Sequence, residues 1–264
     1  MLKSTEAVAL LGPDDPSPVL TGRPGGASPL LLACDHAGNR VPRRLGSMGL
    51  AEDDLEDHIG IDIGIYATSS WMAHYLDAPL IGQAYSRLVV DCNRRPNTPT
   101  SMPEVSDGRA VPANRDLSAA DRQARVTEIF EPYHAALARL IDERRAFLGR
   151  APVLCAMHSF TRVYGGVKRD WDIGVIHGPD RDIADRLLSS LSETGSLRIG
   201  RNVPYTIDFA GDYTIPHHAE VPGLPYVEIE ICQDLISTCR QQRRMAALLA
   251  DAFRRAVVPA YSGD

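Results

Sequence analysis

The sequence predicts an α/β protein with a central mixed, largely parallel sheet that is flanked by helices. Three short apolar runs, at 30–33, 153–157 and 226–231, are typical of strands that are buried on both faces. Longer segments between them repeat apolar residues at helical spacing. Because strands that alternate with helices form such layered sheets, this order of elements predicts the fold class.

Composition excludes several classes of function. The chain has 264 residues, of which 44% are hydrophobic and 23% charged, and its formal net charge is −6. The charge offers no basic surface for nucleic acid. No apolar run approaches the roughly 20 residues that span a bilayer, and the first residues lack the apolar core of a signal peptide. We therefore expect neither a nucleic-acid partner nor a membrane.

The five cysteines, Cys34, Cys92, Cys155, Cys232 and Cys239, are odd in number and form no CxxC pair. Four of them lie in or beside apolar runs, where cysteine behaves as a small buried hydrophobe. This pattern predicts free thiols and a reducing, cytoplasmic location rather than a disulfide framework.

The first half of the chain opens with a segment rich in proline and glycine, which predicts an irregular N-terminal arm over 1–28. Short apolar runs predict strands at 29–34, 79–84 and 87–90. An acidic segment and an apolar stripe predict helices at 51–57 and 63–76. The polar segment 97–114 is predicted as a long surface loop, a kind of segment that often acts as a lid.

The second half alternates helices and strands. Apolar stripes predict helices at 118–149, 181–193 and 236–258. Further strands are predicted at 153–157, 171–177, 197–204 and 226–231. Ser118 opens the first of these helices as a capping residue, and Pro132 should kink it because it lacks a backbone donor. No repeat or linker is visible, so residues 29–264 are predicted to form a single domain.

Polar side chains accompany the three central strands. His36 follows the first strand, His158 follows the second, and Glu228 and Glu230 lie within the third. Ligands of open α/β sheets bind beyond the carboxyl ends of the strands. A single histidine at a strand end is more often structural, but the combination predicts a functional site.

Each of the other candidate site residues has two interpretations. Asp62, just before a helix, either interacts with the helix dipole or serves as a ligand or an orienting carboxylate. Arg87 and Arg94 bracket a short apolar run, and arginine binds carboxylates in bidentate fashion. Surface salt bridges are the alternative for these arginines. His217 and His218 are adjacent in the sequence, and at most one of them is expected to contact a substrate.

Two imidazoles and one carboxylate form a common catalytic zinc set in which water occupies the open position. Zinc lowers the pKa of that water and polarises a carbonyl. Glu230 is the candidate that accepts the proton and passes it to a leaving amine. The alternative for Glu230 is an ion pair with arginine, because a buried acid is costly without a partner.

Five segments together resemble the N-formylglutamate amidohydrolase family. They are CDHAGNRVP, HIGIDIG, YSRLVVDCNRRP, MHS and VEIEICQDL, and they extend in one order from about residue 30 to about residue 235. The resemblance implies a fold similar to that of the zinc carboxypeptidases. It also implies a metal-dependent amidohydrolase whose metal-bound water cleaves N-formyl-L-glutamate to formate and glutamate.

The resemblance assigns His36 and His158 as metal ligands, with Asp62 or Asn39 completing the set. Asn39 stands where carboxypeptidases have the glutamate of a His-x-x-Glu motif, and asparagine is a poor zinc ligand, so Asp62 is favoured. Zn²⁺ is the expected cofactor, although Mn, Fe, Co and Ni accept the same ligand types.

The resemblance also assigns substrate contacts. Asn93 and Arg94 resemble the pair that holds a substrate carboxylate, and Glu230 matches the catalytic glutamate better than Glu228. The segment Asp35-His36-Ala37-Gly38 departs from the Pro-His-Ser-Gly of better-known members. This departure indicates a side branch of the family, so the resemblance carries the reaction type further than it carries the identity of the acyl amino acid.

The favoured function is therefore hydrolysis of N-formyl-L-glutamate or a related small N-acyl amino acid. The alternatives are deacylation of another N-acyl amino acid or small peptide, and non-catalytic binding of acidic metabolites by the arginines. A nucleotide-binding enzyme is disfavoured because the sequence contains neither GxGxxG nor a P-loop pattern.

Overall fold

A computed structural model describes residues 9–96, 98–193, 195 and 197–257. Its strands are β1 (Val19–Gly22), β2 (Leu30–Cys34), β3 (Leu80–Gln83), β4 (Val105–Ser106), β5 (Arg109–Ala110), β6 (Val153–Phe160), β7 (Val163–Tyr164), β8 (Val167–Lys168), β9 (Ile173–Ile176), β10 (Ile199–Arg201) and β11 (Tyr226–Cys232). Its helices are α1 (Glu52–Glu56), α2 (Ile65–Leu76), α3 (Ala119–Arg125), α4 (Glu131–Leu148), α5 (Asp182–Ser192) and α6 (Cys239–Ala256).

Seven strands form the central sheet in the order β1-β3-β2-β6-β11-β9-β10. The pairs β2–β3, β2–β6, β6–β11 and β9–β10 are parallel. The other two pairs of this central sheet, β1–β3 and β9–β11, are antiparallel. The predicted mixed, largely parallel sheet flanked by helices is therefore confirmed, and β10, which lies within the strand predicted at 197–204, forms one edge of the sheet.

The alternation of side chains along the strands gives the sheet two covered faces. On one face, Met157 of β6 and Ile229 of β11 belong to a buried cluster with α2, α5 and α6. On the other face, Ala156 and Tyr226 belong to a second buried cluster with α4 and the segment 84–92. His158 and Glu230 point to this second side, since each lies an even number of residues from a member of that cluster.

The strand predicted at 87–90 is wrong. Leu88, Val89 and Val90 are fully buried, but the backbone forms turns. Side chains rather than a neighbouring strand bind its carbonyls: Asn114 donates to the carbonyl of Leu88, and Arg125 donates to the carbonyl of Val89. A buried apolar run predicts a strand only when its backbone groups have a strand as partner.

The segment predicted as an irregular arm, 1–28, contains strand β1, which pairs antiparallel with β3. Residues 1–8 of that prediction lie outside the described residues. The segment predicted as a loop, 97–114, contains the small hairpin β4–β5 and a short 3₁₀ turn at Pro112–Asn114. Asn97 also lies outside the description. The division into an arm and a single domain stays a prediction.

The long helix predicted over 118–149 is divided. Ser118 caps α3 by accepting a hydrogen bond from the backbone of Asp121, as expected. A π-helical turn, Val126–Phe130, then leads into α4, whose first turn contains Pro132. The residue that lacks a backbone donor therefore lies directly after the change from π-helix to α-helix.

The last predicted helix, 236–258, begins three residues later than expected, at Cys239, because Thr238 and Gln241 form a capping box at its start. Val258 lies outside the described residues. Strand β6 extends past its predicted end at 157, so that His158 lies inside the strand, where it pairs with Glu230.

The four cysteines expected to be buried are buried, and all five are free thiols. Burial raises the pKa of the Cys34 thiol to about 12, which leaves it unsuited to act as a nucleophile. Within the part of the chain that the structure covers, no helix is long and apolar enough to cross a membrane.

Gly64 joins the segment that carries Asp62 to helix α2 and has a φ of +77°. A Cβ atom at this position would lie 2.1 Å from the carbonyl oxygen of Ile236. Only glycine combines the left-handed backbone with this close approach. Gly149 at the end of α4 has a similar φ of +67°, but nothing lies within 4 Å of its Cβ position.

We therefore predict that Gly64→Ala lowers the free energy of unfolding by more than about 2 kcal/mol, the sum of left-handed strain and overlap. Gly149→Ala, the matched control, carries only the strain and should cost about 1 kcal/mol. Urea unfolding of both variants measures the difference. Equal losses would show that the contact with Ile236 does not constrain position 64.

Candidate active site

A pocket of about 530 Å³ opens on the side of the sheet that bears His158 and Glu230. β2 delivers His36 just beyond its carboxyl end, β6 carries His158 near its own, and β11 carries the two glutamates. The predicted site residues that line it are His36, Asp62, Arg87, Asn93, Arg94, His158, Glu228 and Glu230. The structure thus brings together residues that are spread over most of the sequence.

His36, Asp62 and His158 form the group in this pocket that could hold a metal ion. Each offers one ligand atom, and these atoms lie within 4.8 Å of one another. Nδ1 of His36 is 3.4 Å, and Nδ1 of His158 is 3.0 Å, from Oδ2 of Asp62. All three side chains are buried. Two imidazoles and a carboxylate form a donor set that suits zinc and other divalent transition metals.

A further carboxylate lies behind each imidazole. Nε2 of His36 is 2.7 Å from Oδ1 of Asp91, and Nε2 of His158 is 3.4 Å from Oδ2 of Asp35. Histidines that bind metals almost always direct their second ring nitrogen to such a partner, which fixes the tautomer and the ring orientation. The arrangement therefore fits metal ligation through Nδ1 on both rings.

Asp35 is itself held in place inside the core. The hydroxyl groups of Tyr133 and Thr214 donate to its Oδ1 over 2.8 and 2.7 Å. Burial alone would raise the pKa of Asp35, but the imidazoles of His158 and His36 act against it, and the pKa falls to about 2. Asp35 is thus an ionised partner for His158.

Arg87 joins two of the buried carboxylates. Its Nη1 donates to Oδ1 of Asp62 over 3.1 Å, and its Nε and Nη2 donate to Oδ2 of Asp91 over 3.1 and 2.8 Å. Burial would raise the pKa of Asp62, but His36, His158 and Arg87 hold it well below its usual range. The hydrogen bonds of Arg87 therefore serve the site itself, and its contact with a substrate stays a prediction.

Arg94 lies at the rim of the same pocket. Its Nη1 pairs with the carboxylate of Asp212 and also donates to the carbonyl of Asn93 over 3.1 Å. The side-chain oxygen of Asn93 accepts a 3.0 Å hydrogen bond from the backbone of Thr214. Asn93 therefore connects the backbone at Thr214 to the segment that carries Arg94.

Glu228 and Glu230 leave β11 on the same face and are 8% and 6% exposed. Burial raises the pKa of Glu228 to about 7 and that of Glu230 to about 8. Oε2 of Glu230 has no hydrogen-bond partner within the described residues. Such an unpartnered buried acid facing a pocket is typical of proton-transfer sites.

Two candidates lie elsewhere. Asn39 does not line the pocket. Just before it, the backbone at Gly38 packs against that of Ala84, whose carbonyl oxygen lies only 2.1 Å from the Cβ position of the glycine. His217 is exposed and stacks on the ring of Tyr213 at 4.5 Å, outside the pocket lining. Between the two candidates for the third metal ligand, the geometry favours Asp62 over Asn39.

The neighbour of His217, His218, is buried and pairs with His134. Nε2 of His134 donates to the carbonyl of Cys92 over 2.8 Å, so its Nδ1 accepts from Nε2 of His218 over 3.0 Å. Burial lowers the pKa of His134 to about 4 and that of His218 to about 3. The two rings are therefore a neutral structural pair.

Sequence reasoning did not assign roles to several residues of the site. Asp91 forms a hydrogen bond with His36, and Asp35 lies 3.4 Å from Nε2 of His158. Tyr133 and Thr214 hold Asp35, and Asp212 pairs with Arg94. The one local signal was adjacency: Asp35 precedes His36, and Asp91 precedes Asn93 by two positions. Nothing local marks Tyr133, Thr214 or Asp212.

Comparison with known proteins identifies the family. A sequence profile described as FGase, N-formylglutamate amidohydrolase, matches residues 28–237. The chain belongs to the N-formylglutamate amidohydrolase family. The resemblance found in the sequence is therefore confirmed, and the protein is a hydrolase of that family. No curated protein matches the chain significantly.

Two solved structures are similar to this chain in fold. The crystal structure of gene product Atu2144 from Agrobacterium tumefaciens has a TM-score of 0.90 and 35% identity, over 95% of this chain and 99% of that one. N-formylglutamate amidohydrolase from Ralstonia eutropha JMP134 has a TM-score of 0.67 and 20% identity, over 92% of this chain and 100% of that one. At that identity, the second likeness shows a shared fold.

The buried pair His134–His218 generates a prediction about acid stability. In the unfolded chain both histidines take up protons near pH 6.5, whereas in the folded protein they stay neutral down to about pH 4 and 3. The unfolded state therefore binds more protons in this window, and stability falls as the pH is lowered from about 6.5 to about 4.

His218→Phe should remove one of these protons and reduce the slope of unfolding free energy against pH by up to about 1.4 kcal/mol per unit. Denaturant unfolding between pH 7 and 4 measures it. His74→Phe, at an exposed position on α2, is the matched control and should keep the wild-type slope. An unchanged slope in His218→Phe would contradict the neutral pair.

Proposed function

We propose that this member of the family is a metal-dependent amidohydrolase of a small N-acyl amino acid, either N-formyl-L-glutamate or a related compound. The products are the free acid, formate in the case of a formyl group, and the free amino acid. The observation that carries the proposal is the buried group His36–Asp62–His158 in one pocket with Glu230.

The donor set supports a catalytic rather than a purely structural metal. Structural zinc sites are closed by four protein ligands, whereas catalytic sites have three and an open position. His36, Asp62 and His158 supply three, and they face a pocket rather than solid core. We expect Zn²⁺, and the same donors accept other divalent transition metals.

A divalent cation held by these ligands would polarise the acyl carbonyl and lower the pKa of a nearby water. Glu230 takes the proton from the attacking water at its unpartnered Oε2 and delivers it to the amide nitrogen. The water oxygen joins the acyl carbon, the carbon–nitrogen bond breaks, and the nitrogen leaves as an amine. Because burial raises the pKa of Glu230 to about 8, both transfers are feasible near neutral pH.

Arg94 and Asn93, at the rim of the pocket, orient the substrate. Arg94 is the natural group for the α-carboxylate of an N-acyl amino acid, since a guanidinium binds carboxylates through parallel hydrogen bonds. Asn93 fixes the backbone beside it.

A non-catalytic binder that uses its arginines for acidic metabolites is a weaker interpretation. Arg87 is shared between Asp62 and Asp91, which leaves Arg94 as the one arginine of the described lining for an acidic ligand. Such a binder also assigns no role to Glu230 or to the two oriented histidines. The cytoplasmic location, drawn from cysteine usage, stays a prediction.

The first test is metal content. We predict about one divalent ion per chain in wild-type protein, and loss of that ion in His36→Ala and His158→Ala, since each change removes a ligand. Elemental analysis after dialysis against a metal-free buffer measures it. His74→Ala, which alters an exposed histidine, should keep the wild-type content. Wild-type protein that takes up no metal even after supplementation contradicts the proposed chemistry.

The second test separates metal binding from proton transfer. Glu230→Gln should keep the metal and lose about 10²- to 10⁴-fold in turnover of N-formyl amino acids, the usual contribution of a general base. The matched control Glu143→Gln, on an exposed position of α4, should behave as wild type. Near-normal turnover by Glu230→Gln would show that another group moves the proton.

A further inference from the structure

Glu228 is a buried carboxylate that the proposed reaction does not use. It lies two residues before Glu230 on β11, so both side chains leave the same face of the sheet and line the same pocket. Only 8% of Glu228 is exposed. Among the residues that the structure describes, none forms a hydrogen bond or an ion pair with its carboxylate.

The surroundings of Glu228 favour a positive charge. An ionised carboxylate that is buried without a partner is costly, and the cost is offset when a cation pairs with it. Burial raises the pKa of Glu228, and the carboxylates of Asp212 and Asp35 act in the same direction. His158 and Arg94 oppose this shift without bonding to Glu228.

The charges of the whole pocket also favour a cationic ligand group. The described lining contains two arginines and six carboxylates, which are Asp62, Asp91, Asp208, Asp212, Glu228 and Glu230. With a divalent ion at the histidines, the positive charge of the lining would reach four, which balances the four aspartates and leaves Glu228 and Glu230 without a counter-charge. Both arginines are already paired with protein carboxylates. The α-carboxylate of a substrate would therefore share Arg94 with Asp212, and the second carboxylate of N-formylglutamate would find no arginine or lysine in this lining besides Arg87, which Asp62 and Asp91 already share.

Given the amide hydrolysis proposed above, we propose that the pocket takes an N-acyl amino acid with a cationic side chain, and that Glu228 selects it. The ammonium or guanidinium group of the substrate donates to the carboxylate of Glu228. The α-carboxylate goes to Arg94, and the acyl group faces Glu230 and the histidine ligands.

The substrate class is also consistent with the size of the pocket. A volume of about 530 Å³ lies within the usual range for small-molecule sites. It accommodates an amino acid with a long side chain and a short acyl group. The fixed charges rather than the space therefore distinguish a basic side chain from an acidic or a neutral one.

The experiment compares matched substrates on the zinc-loaded full chain. Nα-formyl-L-lysine is compared with Nα-formyl-L-norleucine, which lacks the ammonium group, and with N-formyl-L-glutamate. We expect kcat/KM for the lysine compound to exceed that for the norleucine compound at least tenfold. In Glu228→Gln, which keeps the shape but removes the charge, this ratio should fall towards one. Glu143→Gln is again the control.

A binding measurement that needs no turnover is made in parallel. Calorimetric titration of the same proteins with L-lysine, L-norleucine and L-glutamate should show tightest binding of lysine to wild type. That preference should be lost in Glu228→Gln. If lysine binds no more tightly than norleucine or glutamate, the cation site at Glu228 is overturned.

The two proposals fail in different ways. Preferred hydrolysis of N-formyl-L-glutamate, or equal hydrolysis of the lysine and norleucine compounds, would keep the amidohydrolase and overturn the selection by Glu228. Absence of any hydrolysis by the zinc-loaded protein would overturn the amidohydrolase. The calorimetric comparison would then still decide whether Glu228 binds a cation.

Discussion

The carboxylate of Asp62 is the group on which the geometry of the site depends. Its Oδ2 faces Nδ1 of both His36 and His158 and accepts a hydrogen bond from the backbone of Ser159. Its Oδ1 accepts from Arg87. Its backbone N–H donates to the carbonyl of His36. The side chain and the backbone of one residue thus fix both imidazoles relative to each other, and the left-handed turn that follows sets the start of α2.

Charge compensation explains how so many acids can lie together below the surface. A buried carboxylate stays ionised only when cations or donors offset its desolvation. Asp62 and Asp91 have Arg87 and an imidazole, while Asp35 has two hydroxyl donors and His158. These acids consequently have lowered pKa values, whereas burial without such partners raises those of Glu228 and Glu230. The contrast separates the acids that build the site from those that remain for a ligand.

Hydrophobic pattern predicted the central strands and most of the helices because burial on a sheet or helix face leaves a periodic signal. It failed where a distant side chain replaces a backbone partner, as at 87–90, whose carbonyls bind Asn114 and Arg125. It also missed β1, a short edge strand of intermediate burial in a region with many prolines. Neither case leaves a trace in local periodicity.

The sequence predicted those residues of the candidate site that lie in or next to a predicted strand. His36, His158 and Glu230 are polar interruptions of apolar runs, which a local pattern reveals. The roles of Asp35 and Asp91 depend on which ring nitrogen of each histidine faces which carboxylate, and only the folded geometry supplies that.

The same limit applies to substrate choice. Membership of a family indicates the fold and the class of reaction, whereas the ligand is selected by the particular charges that line a pocket. In this chain the surplus of carboxylates over arginines is a property of the assembled lining, contributed by residues from 62 to 230. Glu228 and Glu230 lie two residues apart on β11. Under the proposal, this one strand presents Glu230 to the scissile bond and Glu228 to the side chain of the substrate. Reaction and selectivity are then set by neighbouring positions of the same face.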